Sequence, residues 1–204
     1  DGETHHGIYD ISFMRILPNI VLMAPSDENE MWKMLNTGLT HRGPSAVRYP
    51  RGNTNGNEVL FTKEVVEIGK SRTVCKGSKI AILVFGELIK NVLDISRELS
   101  LTLVDMRFIK PLDKQRINEL ALTHSYFITI EDSVVAGGAG SSINEYIYDA
   151  ALKVDVINLG IPDRVVSHGS QDELYTEIGL DKKSLEIKIN EIYNLISENK
   201  KVVD

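Results

Sequence analysis

Short runs of consecutive apolar residues alternate along this chain with stretches whose apolar residues recur every three or four positions. Asn19-Ile20-Val21-Leu22-Met23-Ala24 is the first run and predicts a buried strand. Pro25-Ser26-Asp27 then offers helix caps, and Asp27, Glu28 and Glu30 place negative charge at the positive end of a helix dipole. Met31, Trp32, Leu35 and Leu39 share one face of that helix; Trp32, Met31 and Met34 read as core or interface filling. Gly43-Pro44 closes the unit, and residues 45–49 predict the next strand.

From about Gly52 to Gly77 the texture turns polar. Gly52-Asn53-Thr54-Asn55-Gly56-Asn57 is rich in turn residues, and β-like pieces follow at 64–68 and 72–75. This stretch is expected to be a linker that folds as a hairpin. The second half is more regular. Strands are predicted at 79–85, 101–104, 126–130 and 154–159, and helices at 87–99, 111–122, 141–152, 172–178 and 183–198. In the first of those helices Leu88, Val92, Ile95 and Leu99 share the inward face. Strand–helix alternation of this kind implies an α/β fold with crossover units, a mainly parallel sheet and helices on both faces.

Composition narrows the function classes. With 23 Lys and Arg against 29 Asp and Glu, the 204-residue chain carries a formal charge of −6. That balance argues against non-specific nucleic-acid binding, which draws on basic patches. No apolar run approaches the ~20 residues of a membrane span. A single cysteine, Cys75, excludes an intrachain disulfide and fits a reducing cytoplasm, where the protein is expected; Cys75 itself is read as inert. The chain opens on Asp1-Gly2-Glu3-Thr4-His5-His6-Gly7 without a leader pattern and is read as entered in mid-loop, part of something longer.

Several clusters could carry chemistry. Asp1 and His5 share a glycine-bounded loop, where histidine could move a proton and aspartate could orient it or hold a hydroxyl. On composition alone, a solvated polar terminus is the stronger reading. A metal on Asp1, His5 and His6 lacks further ligands at suitable spacing. Arg48-Tyr49-Pro50-Arg51-Gly52 ends a predicted strand, where open α/β sheets bind ligands. An arginine there either grips a phosphate or braces the fold through an ion pair, and the residues leave both open. Gly137-Gly138-Ala139-Gly140-Ser141-Ser142 precedes a helix but lacks the dinucleotide spacing, so close helix–sheet approach is preferred over a phosphate cradle. Glu131-Asp132 and Asp163-Arg164 could line a cleft or an interface.

These residues carry a resemblance. Asp1-Gly2-x-Thr4-His5-x-Gly7-x-x-Asp10, Arg15-Ile16-x-Pro18-Asn19, Ala24-Pro25-Ser26-Asp27-Glu28 and Arg48-Tyr49-Pro50-Arg51-Gly52 resemble the pyrimidine-binding domain of thiamine-diphosphate enzymes of the transketolase group. The string from Val104 to Asp113, Gly137-Gly138-Ala139-Gly140-Ser141 and Gly160-Ile161-Pro162-Asp163 resemble that group's C-terminal domain. The combination is similar to the 1-deoxy-D-xylulose-5-phosphate synthase family over nearly the whole chain. The first motif alone also admits transketolase or a 2-oxo-acid dehydrogenase beta subunit. A non-catalytic assembly module is the alternative of a different class.

The resemblance implies a division into 1–52, the C-terminal part of a pyrimidine-binding domain; 53–78, a linker; 79–199, a transketolase C-terminal domain; and 200–204, a tail. It implies a transferase that condenses pyruvate with D-glyceraldehyde 3-phosphate, releases carbon dioxide and feeds isoprenoid and thiamine synthesis, working as a homodimer. It implies His5 as a catalytic residue that assists proton transfer, and Asp1 and Arg51 as substrate-binding residues on the aldehyde's hydroxyl and phosphate. Thiamine diphosphate and Mg2+ are the implied cofactors. Their site lies in a preceding domain, so this chain is expected to contain no cofactor or metal site and to be inactive alone. The glycine loop receives no role, and the C-terminal domain is expected mainly to pack and to help form the dimer.

Overall fold

The protein is described here from a computed structural model, which covers residues 2–52 and 58–200, without the side chains of 199 and 200. Asp1, residues 53–57 of the turn stretch and the 201–204 end of the tail lie outside the described residues.

A five-stranded sheet forms the larger layer, and alternation along its central strand explains it. In β4 (Lys79–Phe85), Ile80, Ile82 and Val84 face one side, while Ala81, Leu83 and Phe85 face the other. All six are fully buried, as expected of a parallel strand covered on both faces. The first face packs against α3 (Ile89–Glu98), α6 (Gln171–Ile178) and α7 (Lys182–Lys200) through Val92, Tyr175 and Ile189. The second packs against α4 (Lys114–Ala121) and α5 (Ala139–Asp149) through Ile117 and Ile143. Each such large apolar side chain contributes about 1.5–3 kcal/mol when fully buried. With β3 (Arg72–Cys75), β5 (Thr102–Asp105), β7 (His124–Val134) and β8 (Asp155–Ile161), the order is β3-β5-β4-β7-β8. Every pairing in it is parallel except β3 with β5.

A three-stranded sheet belongs to the first part of the chain. Strand β1 (Val21–Met23) pairs in parallel with β2 (Ser45–Val47), and α1 (Asp10–Met14) and α2 (Glu28–Thr40) flank them. The third strand, β6 (Phe108–Lys110), comes from the second part and pairs antiparallel with β1. Pattern reading missed β6. It spans three residues, between Arg107 in a left-handed conformation and the cis Lys110–Pro111 bond, too short for a periodicity.

Two expectations change. The 64–68 and 72–75 pieces do not form a hairpin; β3 instead becomes an edge of the large sheet, paired with β5. In α2 the face with the apolar spacing is not the buried one. Met34, Thr37 and Glu30 turn inward, whereas Leu35 and Leu39 are exposed, Leu39 by 86%. The inward polar groups all have partners: Thr37 binds the backbone N–H of Val66 at 2.8 Å and Glu30 pairs with Arg107 at 2.7 Å. Segment 58–66 lies over the outer face, where Thr62 accepts from Trp32 Nε1 at 2.8 Å and Phe61 meets the indole edge-on at 5.2 Å.

Candidate functional site

The two parts of the chain enclose a cavity of about 620 Å³. The first part contributes His5, Asp10, Arg48 and Arg51; the second contributes Asp132, His168, Gln171 and Tyr175. Several of these stand just past strand ends, Arg48 after β2 and Asp132 within the last residues of β7. That is the edge at which α/β sheets bind ligands.

The structure separates the two arginines left open by the sequence. Arg48 is a structural ion-pair residue. Its Nε donates to Asp10 Oδ2 at 3.0 Å and its Nη2 to the carbonyl of Asp132 at 2.7 Å, while Nη1 stands 3.8 Å from the Asp132 carboxylate. Burial works against its charge, but Asp132 and Asp10 outweigh that and hold its pKa above the usual value. Arg51 is exposed at the cavity, three residues on. His5 is exposed there too, and its Nδ1 lies 2.7 Å from the Thr4 hydroxyl. The neighbouring His6 turns to another partner, its Nε2 3.0 Å from the carbonyl of Val166. Asp1 falls outside the described residues, so only His5 and Arg51 of the three predicted site residues are placed, and both border the same cavity.

Behind the cavity lies a polar network that no motif announced. Gln171 Nε2 donates to Tyr175 Oη at 2.9 Å and to Glu87 Oε1 at 3.0 Å. Tyr175 Oη donates to Glu87 at 3.3 Å, and the Asp132 carboxyl acts on the same phenol electrostatically. Burial pushes the Asp132 carboxyl up, against the pull of Arg48 and Tyr175. Burial, Asp132 and Glu87 push the Tyr175 phenol far above its usual range. The sequence marked Asp132 as a weak cleft candidate but carried no signal for Tyr175, Gln171 or His168, which fall in and before a plain amphipathic helix.

The glycine loop behaves as its spacing suggested. The start of α5 is occupied by Glu131, whose carboxylate accepts from the N–H groups of Ala139 at 2.7 Å and Gly140 at 2.8 Å. A Cβ at Gly138 would overlap Glu131 Oε2 and the Val134 carbonyl, and one at Gly140 would lie 2.5 Å from Thr129 Oγ1. The loop is therefore a tight helix–sheet contact with a carboxyl group of the chain itself at the helix start. Burial raises the Glu131 carboxyl to about 7 despite those two bonds and the nearby Arg48 and Arg15.

No group of three or more His, Cys, Asp or Glu among the described residues could hold a metal ion. With the start of α5 filled by the Glu131 carboxyl group, that helix end does not take a diphosphate. No helix among the described residues is long and apolar enough to cross a membrane.

Comparison with known proteins completes the picture. Residues 69–185 match the family "Transketolase, C-terminal domain", and residues 1–57 match "Transketolase, pyrimidine binding domain". The chain is 50% identical over 191 residues to the 1-deoxy-D-xylulose-5-phosphate synthase of Vibrio campbellii, covering 94% of this chain and 31% of that protein. It is 48% identical over 194 residues to the synthase of Pseudoalteromonas translucida, covering 95% of this chain and again 31% of the relative. The chain thus spans about a third of the length of the curated relatives it matches. Among solved structures, a split-gene transketolase described as an inactive beta4 tetramer superposes with a TM-score of 0.82 at 24% identity, over 93% of this chain and 63% of that one. A transketolase from Campylobacter jejuni gives 0.66 at 16% identity, over 94% and 29%.

Proposed function

This chain belongs to the transketolase family, and on that premise we propose that it works as the substrate-holding end of a thiamine-diphosphate-dependent transferase joining pyruvate to D-glyceraldehyde 3-phosphate, with 1-deoxy-D-xylulose 5-phosphate and carbon dioxide as products. The observation that carries the reading is the meeting of His5 and Arg51 at one cavity between the two parts of the chain. The identity of about one residue in two to synthases named for that product supports the choice of substrates. Division of the chain into 1–52, 53–78, 79–199 and a tail is proposed with it.

In this reading Arg51 holds the aldehyde's phosphate, since a guanidinium matches a phosphate with two parallel N–H donors. His5 contacts substrate and moves a proton at the reacting end, and Asp1 accepts from the substrate hydroxyl. Thiamine diphosphate and Mg2+ are held mainly by the remainder of the enzyme, a reading supported by the occupation of the α5 start by Glu131. The 204 residues alone therefore neither bind the cofactor tightly nor turn over substrate; micromolar binding in calorimetry, about −8 kcal/mol, would count against this. The exposed Phe13, Ile16 and Leu39 support a homodimer in which such apolar side chains are covered. A cytoplasmic location goes with the pathway of isoprenoid and thiamine precursors.

The decisive experiment is kinetic. In the full-length enzyme Arg51→Ala is expected to raise KM for glyceraldehyde 3-phosphate by roughly 10–150-fold, the equivalent of a charge-assisted hydrogen bond of about 1.5–3 kcal/mol. KM for pyruvate and activity on unphosphorylated glyceraldehyde should change much less. Equal losses on both aldehydes, with a lowered melting temperature, would refute the phosphate assignment.

A further inference from the structure

We propose that Asp132, Tyr175 and Gln171 are positioning residues for Arg51, so that the C-terminal domain sets the affinity of the site for the substrate's phosphate end; the inference rests on the reading above. Arg51 sits in the loop that follows β2. Beyond Val47 it leaves the β1–β2 ladder, whose last tie is the Arg48 N–H on the Met23 carbonyl at 2.9 Å. Pro50 fixes one backbone angle in the loop. The flanks of Tyr49-Pro50-Arg51 are held from outside. On one side Arg48 is bound to the Asp132 carbonyl at 2.7 Å and faces its carboxylate. On the other side Gln171 sits against Gly52 so closely that a Cβ there would stand 2.6 Å from Gln171 Oε1.

Those two grips are coupled. Tyr175 accepts from Gln171 at 2.9 Å, and the Asp132 carboxyl interacts electrostatically with the same phenol. Arg48 with Asp132 and Gln171 with Tyr175 thus flank the loop of Arg51 on its two sides, and all of them border the cavity with Gly52. Stability alone is a weak reason for such an arrangement. Buried charges lose about as much in desolvation as they gain in attraction, and apolar residues of similar size would serve a core as well. A hydrogen-bonded frame does something apolar packing does not: it fixes direction, and a phosphate grip displaced by about 1 Å loses much of its effect. Gly52 fits the same logic, because its missing side chain is what lets Gln171 reach the loop.

The test uses the full-length enzyme with Tyr175→Phe, which keeps the ring and removes the hydroxyl, and Gln171→Ala, which remains informative should the first variant fold poorly. Both are expected to raise KM for glyceraldehyde 3-phosphate by about 3–10-fold, with kcat, KM for pyruvate and activity on unphosphorylated glyceraldehyde held within about twofold. Placed on Arg51→Ala, Tyr175→Phe should add nothing further, since the group it positions is gone. An unchanged KM for glyceraldehyde 3-phosphate in both variants, equal losses on both aldehydes, or full additivity with Arg51→Ala would overturn the proposal. An Arg51→Ala enzyme with wild-type kinetics, or a wild type inactive on these substrates, would overturn the underlying reading and the proposal with it, and the Arg51 and wild-type arms identify that case.

Discussion

The two parts of the chain meet along two seams built from the same chemistry, arginine against buried carboxylate, and the 620 Å³ cavity lies at one of them. At the closed seam Arg107 pairs with Glu30 at 2.7 Å, Ser26 donates to Asp105 at 2.8 Å, and Arg72 reaches the same oxygen at 3.1 Å. Burial pushes the Asp105 carboxyl up, while Ser26 and Arg72 pull it back. Lys110 Nζ donates to the carbonyls of Arg15 at 2.9 Å and Leu17 at 2.6 Å, and β6 completes the smaller sheet. All of these second-part groups except Arg72 come from the string between Val104 and Asp113. At the open seam, Arg48 and Asp132 make a similar pair, and the cavity they border is also lined by His5 and Arg51. The 104–113 string thus joins the two parts together through its side chains and through β6.

The largest effect should come from breaking the closed seam. Arg107→Ala leaves the Glu30 carboxylate, 4% exposed, without its cation. Removing one partner of a buried pair costs about 3–5 kcal/mol, so the melting temperature should fall by several degrees. At temperatures where the variant stays folded, KM for glyceraldehyde 3-phosphate should match the wild type. A selective rise in that KM would erase the distinction between the two seams.

Next in size is the carboxylate beside the open seam. Glu131 has a folded pKa of about 7 against an ordinary 4.5. The folded state therefore keeps a proton that the unfolded state releases, and this group's contribution to stability falls as pH rises from about 4.5 to 7. The full shift corresponds to something on the order of 3 kcal/mol. Urea unfolding of wild type and Glu131→Gln across that range should show a steeper loss with pH in the wild type. Parallel curves would mean that Glu131 ionises as freely in the folded protein as outside it.

The smallest effect belongs to a surface away from both seams. Leu39 is 86% exposed on the outer face of α2. Leu39→Lys should change the stability of the isolated chain by no more than about 0.5 kcal/mol. In the full-length enzyme, sedimentation should then show a weakened dimer if that face is covered by a second copy. A large stability loss in the isolated chain would show that the helix face marked by spacing is a core face after all.

Local pattern decided most of the second part. Consecutive apolar runs with flanking turns mark strands, so β4, β5 and β7, buried on two faces, and the half-buried edge strand β8 were legible, as was α3 from Val92 and Ile95. The orientation of α2 was not, because periodicity counts apolar residues and cannot see that Glu30 and Thr37 find partners in Arg107 and Val66. The same holds for β6, a strand only because β1 is there to pair with it. At the site, residue type and motif singled out His5, Asp1 and Arg51 and left Arg48 undecided between phosphate and ion pair. Tertiary structure decided that choice by bringing Asp10 and Asp132 to Arg48 from 38 and 84 positions away along the chain. It also assembled Gln171, Tyr175 and Asp132 behind the loop. Such groups carry no local signature, since what defines them is hydrogen-bond geometry between elements far apart in the chain. The chemistry of single residues and the period of each element are written in the sequence. Which charged group meets which is settled only when two sheets close on each other and burial makes every unpaired polar group costly.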